Sequence, residues 1–270
     1  MTFTLTIIFF IFGLIIGSFL NVVIFRFNTG RSFKGRSACL ACQNRLRFYE
    51  LIPLISFCVL GGRCRSCKAK ISIQYPIVEF MSGLIFAGLF LKFQDVFYLS
   101  TFVFSVSYAY YATMFSILLV IAVYDFKHKI IPDALSYAFG IITFIGLFFF
   151  NNYGFYPHIP SVLDFSSGIL LALPFALLWL ISSGKWMGLG DAKLVLGIGW
   201  LLGLNLGVSA IALAFWIGAV ISIIWMYIVF RKVKSKYEIP FGPYLILGMY
   251  LVLLFDIKVI DLEPFILYFQ

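Results

Sequence analysis

The feature that most constrains this fold is a series of apolar segments along almost the whole chain, each long enough to cross a lipid bilayer. A helix needs roughly 20 apolar residues to cross a hydrocarbon core of about 30 Å. Backbone groups in lipid must be satisfied within the segment, and these runs lack the alternation of barrel strands, so helices are predicted. The predicted fold is all-α and polytopic, with about eight transmembrane helices. They cover residues 6–25, 76–92, 97–124, 133–151, 162–183, 194–206, 208–230 and 241–257.

The composition supports this class and suggests two parts. Of the 270 residues, 63% are hydrophobic and only 11% are charged, which excludes a water-soluble globule with a normal polar surface. Residues 1–95 are predicted to hold the first helix, a polar loop and the second helix. Residues 96–270 are predicted to form a run of helices joined by short connections. The first segment lacks the basic start and the cleavage site of a signal peptide, so we expect it to be retained.

The basic residues predict the orientation in the membrane, because cytoplasmic loops keep positive charge. Eighteen of the 20 Lys and Arg residues fall in the connections 26–75, 125–132, 184–193 and 231–240. We therefore expect these connections in the cytoplasm of a bacterial inner membrane, with both termini outside. The basic 26–75 loop is attributed to this topology and to anionic lipid headgroups, not to nucleic-acid binding.

Four of the five cysteines form two C-x2-C knuckles separated by 21 residues, Cys39 with Cys42 and Cys64 with Cys67. Zinc ribbons have this spacing, because paired thiolates converge on one tetrahedral ion. Four sulfur ligands leave no position for a reacting water, so the spacing predicts a structural Zn²⁺ site in a small zinc-ribbon-like cytoplasmic loop. Two disulfides or free thiols are the alternatives, and a reducing compartment disfavours disulfides. Cys58, in an apolar stretch, is interpreted as a small buried hydrophobic residue.

Two acids lie at the cytoplasmic ends of predicted spans, although an ionised side chain at the bilayer centre costs on the order of 3 kcal/mol. Asp125 ends the third helix, and Asp191 closes Gly188-Leu189-Gly190-Asp191 before the sixth. Two carboxyl groups in a site sheltered from water would share a proton, which is aspartyl protease chemistry. One would take a proton from the attacking water and the other would donate to the scissile carbonyl oxygen. Gly188 and Gly190 would let the backbone turn sharply beside a substrate strand.

The residues alone leave simpler interpretations of both acids open. Asp125 could end a helix beside Lys127 and Lys129, and Asp191 could cap a helix that begins at Ala192. These interpretations require no catalytic role.

Other titratable residues carry less signal. Asp133 and Glu79 follow prolines and are interpreted as acids at helix starts. His128 and His158 are far apart in the predicted topology, and the chain has neither a Ser-His-Asp order nor an H-E-x-x-H motif. Serine protease and zinc protease mechanisms therefore lose support.

Several further segments carry a family signal. They are Gly17-Ser18-Phe19-Leu20-Asn21-Val22-Val23, Tyr49-Glu50-Leu51-Ile52-Pro53 between the knuckles, Tyr75-Pro76-Ile77-Val78-Glu79, and Ile239-Pro240-Phe241-Gly242-Pro243. With these segments, the chain resembles the type IV prepilin peptidase family over nearly its whole length. Members of that family process pilins and the pseudopilins of type II secretion and competence.

The resemblance implies that Asp125, ahead of Ile131-Pro132-Asp133, and Asp191 of the G-x-G-D motif are the catalytic aspartates. It implies an eight-helix membrane fold, prepilin or pseudopilin precursors as partners, and cleavage after a Gly at the cytoplasmic edge of their hydrophobic segment. It also implies N-methylation of the exposed residue, with S-adenosylmethionine as methyl donor. Leu40 and Lys68 depart from the family, which often has Pro and Gly there. No G-x-G-x-x-G loop is present, so no methyl-donor residue is assigned.

Three alternatives to this bifunctional enzyme stay open, and the last two differ from it in class. The chain could be a peptidase without methyltransferase activity, which labelled methyl donor would reveal. It could be a proton-coupled transporter in which the two aspartates relay ions, and such carboxylates would lie near the middle of the membrane. It could also be a scaffold whose zinc module docks a partner, which requires the motif matches to be accidental.

Overall fold

The computed structural model describes residues 2–29, 35, 37–39, 41–151, 153–230 and 239–259, with the backbone alone for 228–230. Helices dominate these residues. The helices are α1 (Thr2–Arg26), a 3-10 helix (Phe48–Leu51), α2 (Ile55–Val59), α3 (Gln74–Leu99), α4 (Thr101–His128), α5 (Asp133–Gly146), α6 (Val162–Ser182), α7 (Leu189–Phe230) and α8 (Gly242–Phe255). Strands β1 (Phe150–Asn151) and β2 (Gly154–Phe155) form a small antiparallel hairpin. Arg31 and the basic cluster predicted at 231–236 lie outside the described residues.

One compact unit consists of Met1–Gln94 and Tyr111–Val120. In it, α1 packs closely against α3 at two glycines spaced as G-x-x-x-G. A Cβ atom added to Gly13 would lie 2.7 Å from the Ser82 carbonyl oxygen, and one added to Gly17 would lie 2.8 Å from the α3 backbone. Small residues at this spacing let membrane helices approach closely. Ser82 Oγ also donates a 2.7 Å hydrogen bond to the Gly13 carbonyl, which joins the two helices.

The second compact unit consists of Asp95–Tyr110 and Ile121–Gln270. Its helices also meet at glycines. A Cβ atom on Gly199 of α7 would lie 2.6 Å from the Cα atom of Gly168 in α6, and one on Gly248 of α8 would lie 2.5 Å from the α7 backbone. Bulkier residues at these positions would force α6, α7 and α8 apart, because the clashing atoms are backbone atoms.

Helix α7 is interrupted at Gly203, whose φ of 74° and ψ of −179° are not helical. The chain folds back there. A Cβ atom on Gly207 would lie 3.8 Å from Gly199 Cα, although these residues would be about 12 Å apart in a straight helix. The predicted segments 194–206 and 208–230 therefore correspond largely to the two arms of α7 before and after Gly203. The first predicted segment extends past Gly203, where the helix is in fact interrupted.

The all-α membrane class is confirmed. Among the described residues, five helices are long and apolar enough to cross a membrane: α1, α3, α4, α6 and α7. Helices α5 and α8 are apolar but have only 14 residues each. The predicted span 133–151 was too long, because α5 ends at Gly146 and the β1–β2 hairpin follows. The count of eight spans and the division at residues 95 and 96 remain predictions.

Candidate active site and metal site

Asp125 lies in the last turn of α4, and only 4% of the residue is exposed. Lys129 adopts a left-handed conformation and ends the helix, and its N–H donates to the Asp125 carbonyl. The Asp125 carboxylate accepts a 3.0 Å hydrogen bond from the N–H of Gly242, the first residue of α8. First-turn N–H groups have no partner within their helix and interact favourably with carboxylates. The end of α4 thus meets the start of α8 at this carboxylate.

Asp191 lies in the first turn of α7 and is 8% exposed. Its N–H donates to the Gly188 carbonyl at 3.2 Å. The helix begins at Leu189, so Asp191 does not cap a helix that begins at Ala192. Its carboxyl group is close enough to Asp125 for the two charges to interact electrostatically. The fold therefore brings the two predicted aspartates together.

Ile131 packs against both segments that contact the aspartates, and it is 8% exposed. A Cβ atom on Gly190 would lie 2.8 Å from Ile131 Cβ, and one on Gly242 would lie 3.3 Å from Ile131 Cδ1. Gly188 has more room, because a Cβ atom added there would have Asp191 Oδ2 as its nearest neighbour, 3.7 Å away. The side chains of Ile131 and Gly242 carry no catalytic group, so the chemical analysis of the sequence did not identify them as site residues. The motifs Ile131-Pro132-Asp133 and Ile239-Pro240-Phe241-Gly242-Pro243 were the only signal for them.

An ion pair borders this site. Lys193 Nζ lies 2.7 Å from Asp133 Oδ1 and 4.8 Å from the centre of the Tyr137 ring. Asp133 occupies the first turn of α5, as predicted, and its side chain is 65% exposed. Exposed pairs contribute about 0–1 kcal/mol. The pair therefore links α5 to α7 without dominating their packing.

Glu79 is not the helix-start acid that the sequence predicted. Helix α3 begins at Gln74, and its first turn has no acidic residue. Glu79 is 7% exposed, and its Oε2 accepts a 2.9 Å hydrogen bond from the Leu54 N–H. Ser18 on α1 also hydrogen-bonds to this carboxylate. The prediction was wrong because Glu79 finds its partners on α1 and in the polar loop, which its local sequence cannot reveal.

The four predicted metal ligands converge. The sulfur atoms of Cys39, Cys42, Cys64 and Cys67 all lie within 4.8 Å of one another, and the Sγ atoms of Cys39 and Cys67 are 3.8 Å apart. A tetrahedral Zn²⁺ ion with Zn–S bonds of about 2.3 Å would place its sulfurs about 3.8 Å apart. All five cysteines of the chain are free of disulfides. The four clustered residues can therefore hold a metal ion.

The two knuckles share one backbone geometry. The Gln43 N–H donates to the Cys39 carbonyl, and the Lys68 N–H donates to the Cys64 carbonyl, each at 3.0 Å. Gln43 and Lys68 have positive φ angles of 58° and 59°. Glycine adopts such angles without steric cost, which explains why a family pattern would have Gly at position 68. Leu40, the other departure from that pattern, lies outside the described residues.

The thiols of the first knuckle have pKa values shifted in opposite directions. Hydrogen bonds from the backbone N–H groups of Cys42 and Ala41 lower the pKa of the Cys39 thiol to about 6. The Asn44 N–H lowers the pKa of the Cys42 thiol, but desolvation and the three neighbouring sulfurs outweigh it and raise that pKa to about 11.

The interpretation of Cys58 as a buried residue is wrong. It is exposed on α2, a five-residue helix that has no buried residue.

Comparison with known proteins gives two family matches. Residues 11–93 match the "Bacterial Peptidase A24 N-terminal domain", and residues 112–223 match the "Type IV leader peptidase family". The first match includes all four clustered cysteines, and the second includes both aspartates. No solved structure matches the chain.

Three relatives, each named prepilin leader peptidase/N-methyltransferase, align with nearly the whole chain. The protein of Stutzerimonas stutzeri is 30% identical over 90% of this chain and 88% of its own length. The Pseudomonas aeruginosa protein is 29% identical over 90% of this chain and 87% of its own length. The Vibrio cholerae protein is 29% identical over 96% of this chain and 99% of its own length.

Proposed function

The chain belongs to the type IV leader peptidase family, and on this premise we propose that it removes the leader peptide from type IV prepilins or pilin-like precursors. Asp125 and Asp191 form its catalytic pair, and Gly188 and Gly190 shape the active-site loop. The enzyme is a membrane aspartic endopeptidase. It also transfers a methyl group to the new N-terminus, a proposal supported by relatives that are named N-methyltransferases.

One observation carries the peptidase proposal. Two aspartates on different helices are both nearly buried, 4% and 8% exposed, and their carboxyl groups interact. A buried pair of like charges is costly unless the pair shares a proton. Such an arrangement has no evident value for stability. It is the arrangement that acid and base catalysis by two carboxyl groups requires.

The proposed reaction uses the pair in complementary protonation states. The ionised carboxylate takes a proton from water as the water oxygen attacks the scissile carbonyl carbon. The protonated partner donates to the carbonyl oxygen and later helps the amine to leave. The Gly242 N–H, which donates to Asp125 Oδ2, fixes the orientation of one carboxyl group. Ile131 excludes water from its side of the pair.

Asp125→Asn and Asp191→Asn test this mechanism, because an amide keeps the size of the side chain but cannot exchange protons in the same way. Each proton-transfer role typically contributes about 10²–10⁴-fold. Either change should therefore abolish removal of the leader from a tagged prepilin. The readout is a gel shift in membranes that contain each variant at matched abundance.

Asp133→Asn is the matched control, because it makes the same chemical change beside the same site. It removes only an exposed ion pair, worth about 0–1 kcal/mol, and should retain substantial cleavage. Near-normal processing by the Asp125 or Asp191 variant would refute the aspartyl mechanism.

The clustered cysteines would hold a structural Zn²⁺ ion. Four thiolates close the coordination shell, so the ion would stabilise the fold around the knuckles and would leave the peptidase chemistry to the aspartates. The 3.8 Å separation of the Cys39 and Cys67 sulfurs supports this ligand set. Metal analysis of the purified protein should find about one zinc ion per chain. A metal-free protein with paired cysteines would refute the site.

Methyl transfer is the second part of the proposed function. S-adenosylmethionine supplies an activated methyl group, and the acceptor is the amine exposed by cleavage. Processed pilin incubated with labelled methyl donor should become labelled at its N-terminus. Cleavage without labelling, where a bifunctional relative succeeds in parallel, would restrict this chain to the peptidase reaction.

The protein is an integral protein of the inner membrane, with five candidate spans among the described residues. We infer that its aspartates face the cytoplasm. The basis is the positive charge of the connections next to them, which include Lys127, Lys129, Lys185 and Lys193. Precursors with cytoplasmic leaders would then reach the site directly.

A further inference from the structure

The polar loop contains an exposed apolar segment, residues 48–59, that neither the metal site nor the peptidase mechanism uses. It consists of the 3-10 helix, a short turn and α2. Phe48 is 83% exposed and Val59 is 79% exposed. A group of large exposed apolar side chains marks a surface that binds a protein or a membrane. The large exposed apolar residues of the segment are Phe48, Leu51, Ile52, Ile55 and Val59.

Two contacts fix the depth of this segment relative to the membrane helices. The Leu54 N–H donates a 2.9 Å hydrogen bond to Glu79 Oε2. Glu79 is five residues past the start of α3 at Gln74, which is about 8 Å along the helix axis. A Cβ atom added to Gly17 of α1 would lie 2.8 Å from Glu79 Cα. Gly17 is nine residues before the end of α1, or about 14 Å. Leu54 therefore contacts the second turn of α3, within the length of both membrane helices.

The backbone of the segment is suited to contact with lipid, where each N–H group needs a partner within the protein. The Leu54 N–H precedes α2 and is satisfied by Glu79. The following N–H groups are satisfied locally. Carbonyl groups of residues 52–58 accept hydrogen bonds from the N–H groups of Ile55, Ser56, Cys58, Leu60, Gly61 and Gly62.

Basic side chains border the segment at both ends. Arg47 precedes Phe48, Arg63 follows the turn after α2, and both are exposed. An antiparallel bridge joins Arg63 to Lys70, which is a third exposed cation. Glu50, the acid of this loop, accepts a 2.7 Å hydrogen bond from the Arg47 N–H. Lys and Arg residues next to an apolar anchor attract anionic lipid headgroups.

We propose that the apolar segment inserts into the adjacent membrane leaflet and binds anionic phospholipid. Phe48, Ile55 and Val59 contact acyl chains, whereas Arg47 and Arg63 contact headgroup phosphates. The loop between α1 and α3 is then a re-entrant anchor that holds the four clustered cysteines against the membrane surface. This role is independent of the peptidase and methyl-transfer reactions.

Photo-crosslinking to lipid tests the proposal on the full chain in nanodiscs. The probe is phosphatidylglycerol with a diazirine midway along one acyl chain, and mass spectrometry locates the adducts. Ile8 is the internal positive control, because it is 53% exposed on the membrane-spanning α1. Adducts should form on Ile8 and also on Phe48, Ile55 and Val59. Adducts on Ile8 with none on residues 48–59 would overturn the proposal.

Headgroup selection is tested with the same diazirine on phosphatidylcholine, which has no net charge. One Lys or Arg near an anionic surface changes binding by about fivefold. The adduct yield from phosphatidylglycerol relative to phosphatidylcholine, normalised to Ile8, should therefore be at least about fivefold higher on residues 48–59. Equal normalised yields would refute binding of anionic lipid.

A charge placed in the segment should expel it from the lipid. Val59→Asp should reduce the adducts on Phe48 and Ile55 several-fold, because a carboxylate is costly among acyl chains. Gln43→Asp adds the same charge on the exposed first knuckle and should leave these adducts unchanged. Bound metal, measured on each variant, reports whether the loop is folded. The wild-type adduct pattern decides if Val59→Asp loses its metal.

A precursor protein is the competing occupant of this surface. A tagged prepilin added before illumination distinguishes the two. Adducts that persist on residues 48–59 support the lipid assignment. Their loss, with adducts on Ile8 retained, would assign the segment to the precursor and overturn the lipid assignment.

Discussion

Gly242→Ala should impair cleavage although position 242 carries no chemical group. Its new Cβ atom would lie 2.7 Å from Asp125 Oδ2 and 3.3 Å from Ile131 Cδ1. Since carbon and oxygen normally approach to about 3.3 Å, the carboxylate would have to move by about 0.6 Å. A misplacement of about 1 Å can cost about 100-fold in rate. We therefore expect kcat for leader removal to fall by about 10- to 100-fold.

Unfolding should not explain this loss. Gly242 does not have a positive φ angle, so alanine can adopt its backbone conformation. The assay measures initial rates of leader removal in detergent micelles at several substrate concentrations. Gly140→Ala is the control, because its nearest Cβ contact would be 4.0 Å away. A Gly242→Ala enzyme within about threefold of wild-type kcat would refute this view of the carboxylate contact.

Three further changes separate other parts of the structure. Gly190→Ala should reduce cleavage strongly, because its Cβ atom would lie 2.8 Å from Ile131 Cβ. Gly188→Ala should be tolerated, because the nearest contact of its Cβ atom would be 3.7 Å away. Equal rates of leader removal by the two variants would contradict this prediction. Lys68→Gly should stabilise the second knuckle by up to about 1 kcal/mol, because φ is 59° there, and faster zinc loss to a chelator would count against it. Cys64→Ser should lower zinc content and weaken cleavage indirectly; full zinc content would exclude Cys64 as a ligand.

Local spacing and topology were sufficient to predict the main groups of the site. Two C-x2-C knuckles can be recognised because each ligand pair is set by one tight turn. The pairing of Asp125 with Asp191 could be expected because the end of the third predicted helix and the start of the sixth were predicted to lie at the same face of the membrane. The convergence of the four cysteines agrees with that reasoning. The catalytic roles themselves remain proposals.

The contacts that orient these groups could not be predicted in the same way. Gly242 meets Asp125 across 117 residues of sequence, and no local pattern encodes such a contact. Glu79 was misinterpreted for a related reason, since the Leu54 N–H reaches it from the polar loop. Cys58 shows the converse error, because an apolar neighbourhood in sequence was taken as burial in space.

The three helical segments that begin beside the aspartates have an effect on the surrounding lipid. Helices α5 and α8 have 14 residues each, and the arm of α7 before Gly203 is equally short. At 1.5 Å per residue, such helices measure about 21 Å, against a hydrocarbon thickness of about 30 Å. A bilayer adapts to short segments by thinning around them. We therefore expect the membrane to be thinner at this site. A peptide bond at the lipid boundary could then reach both carboxyl groups, while the rest of the substrate helix stays in the hydrocarbon core.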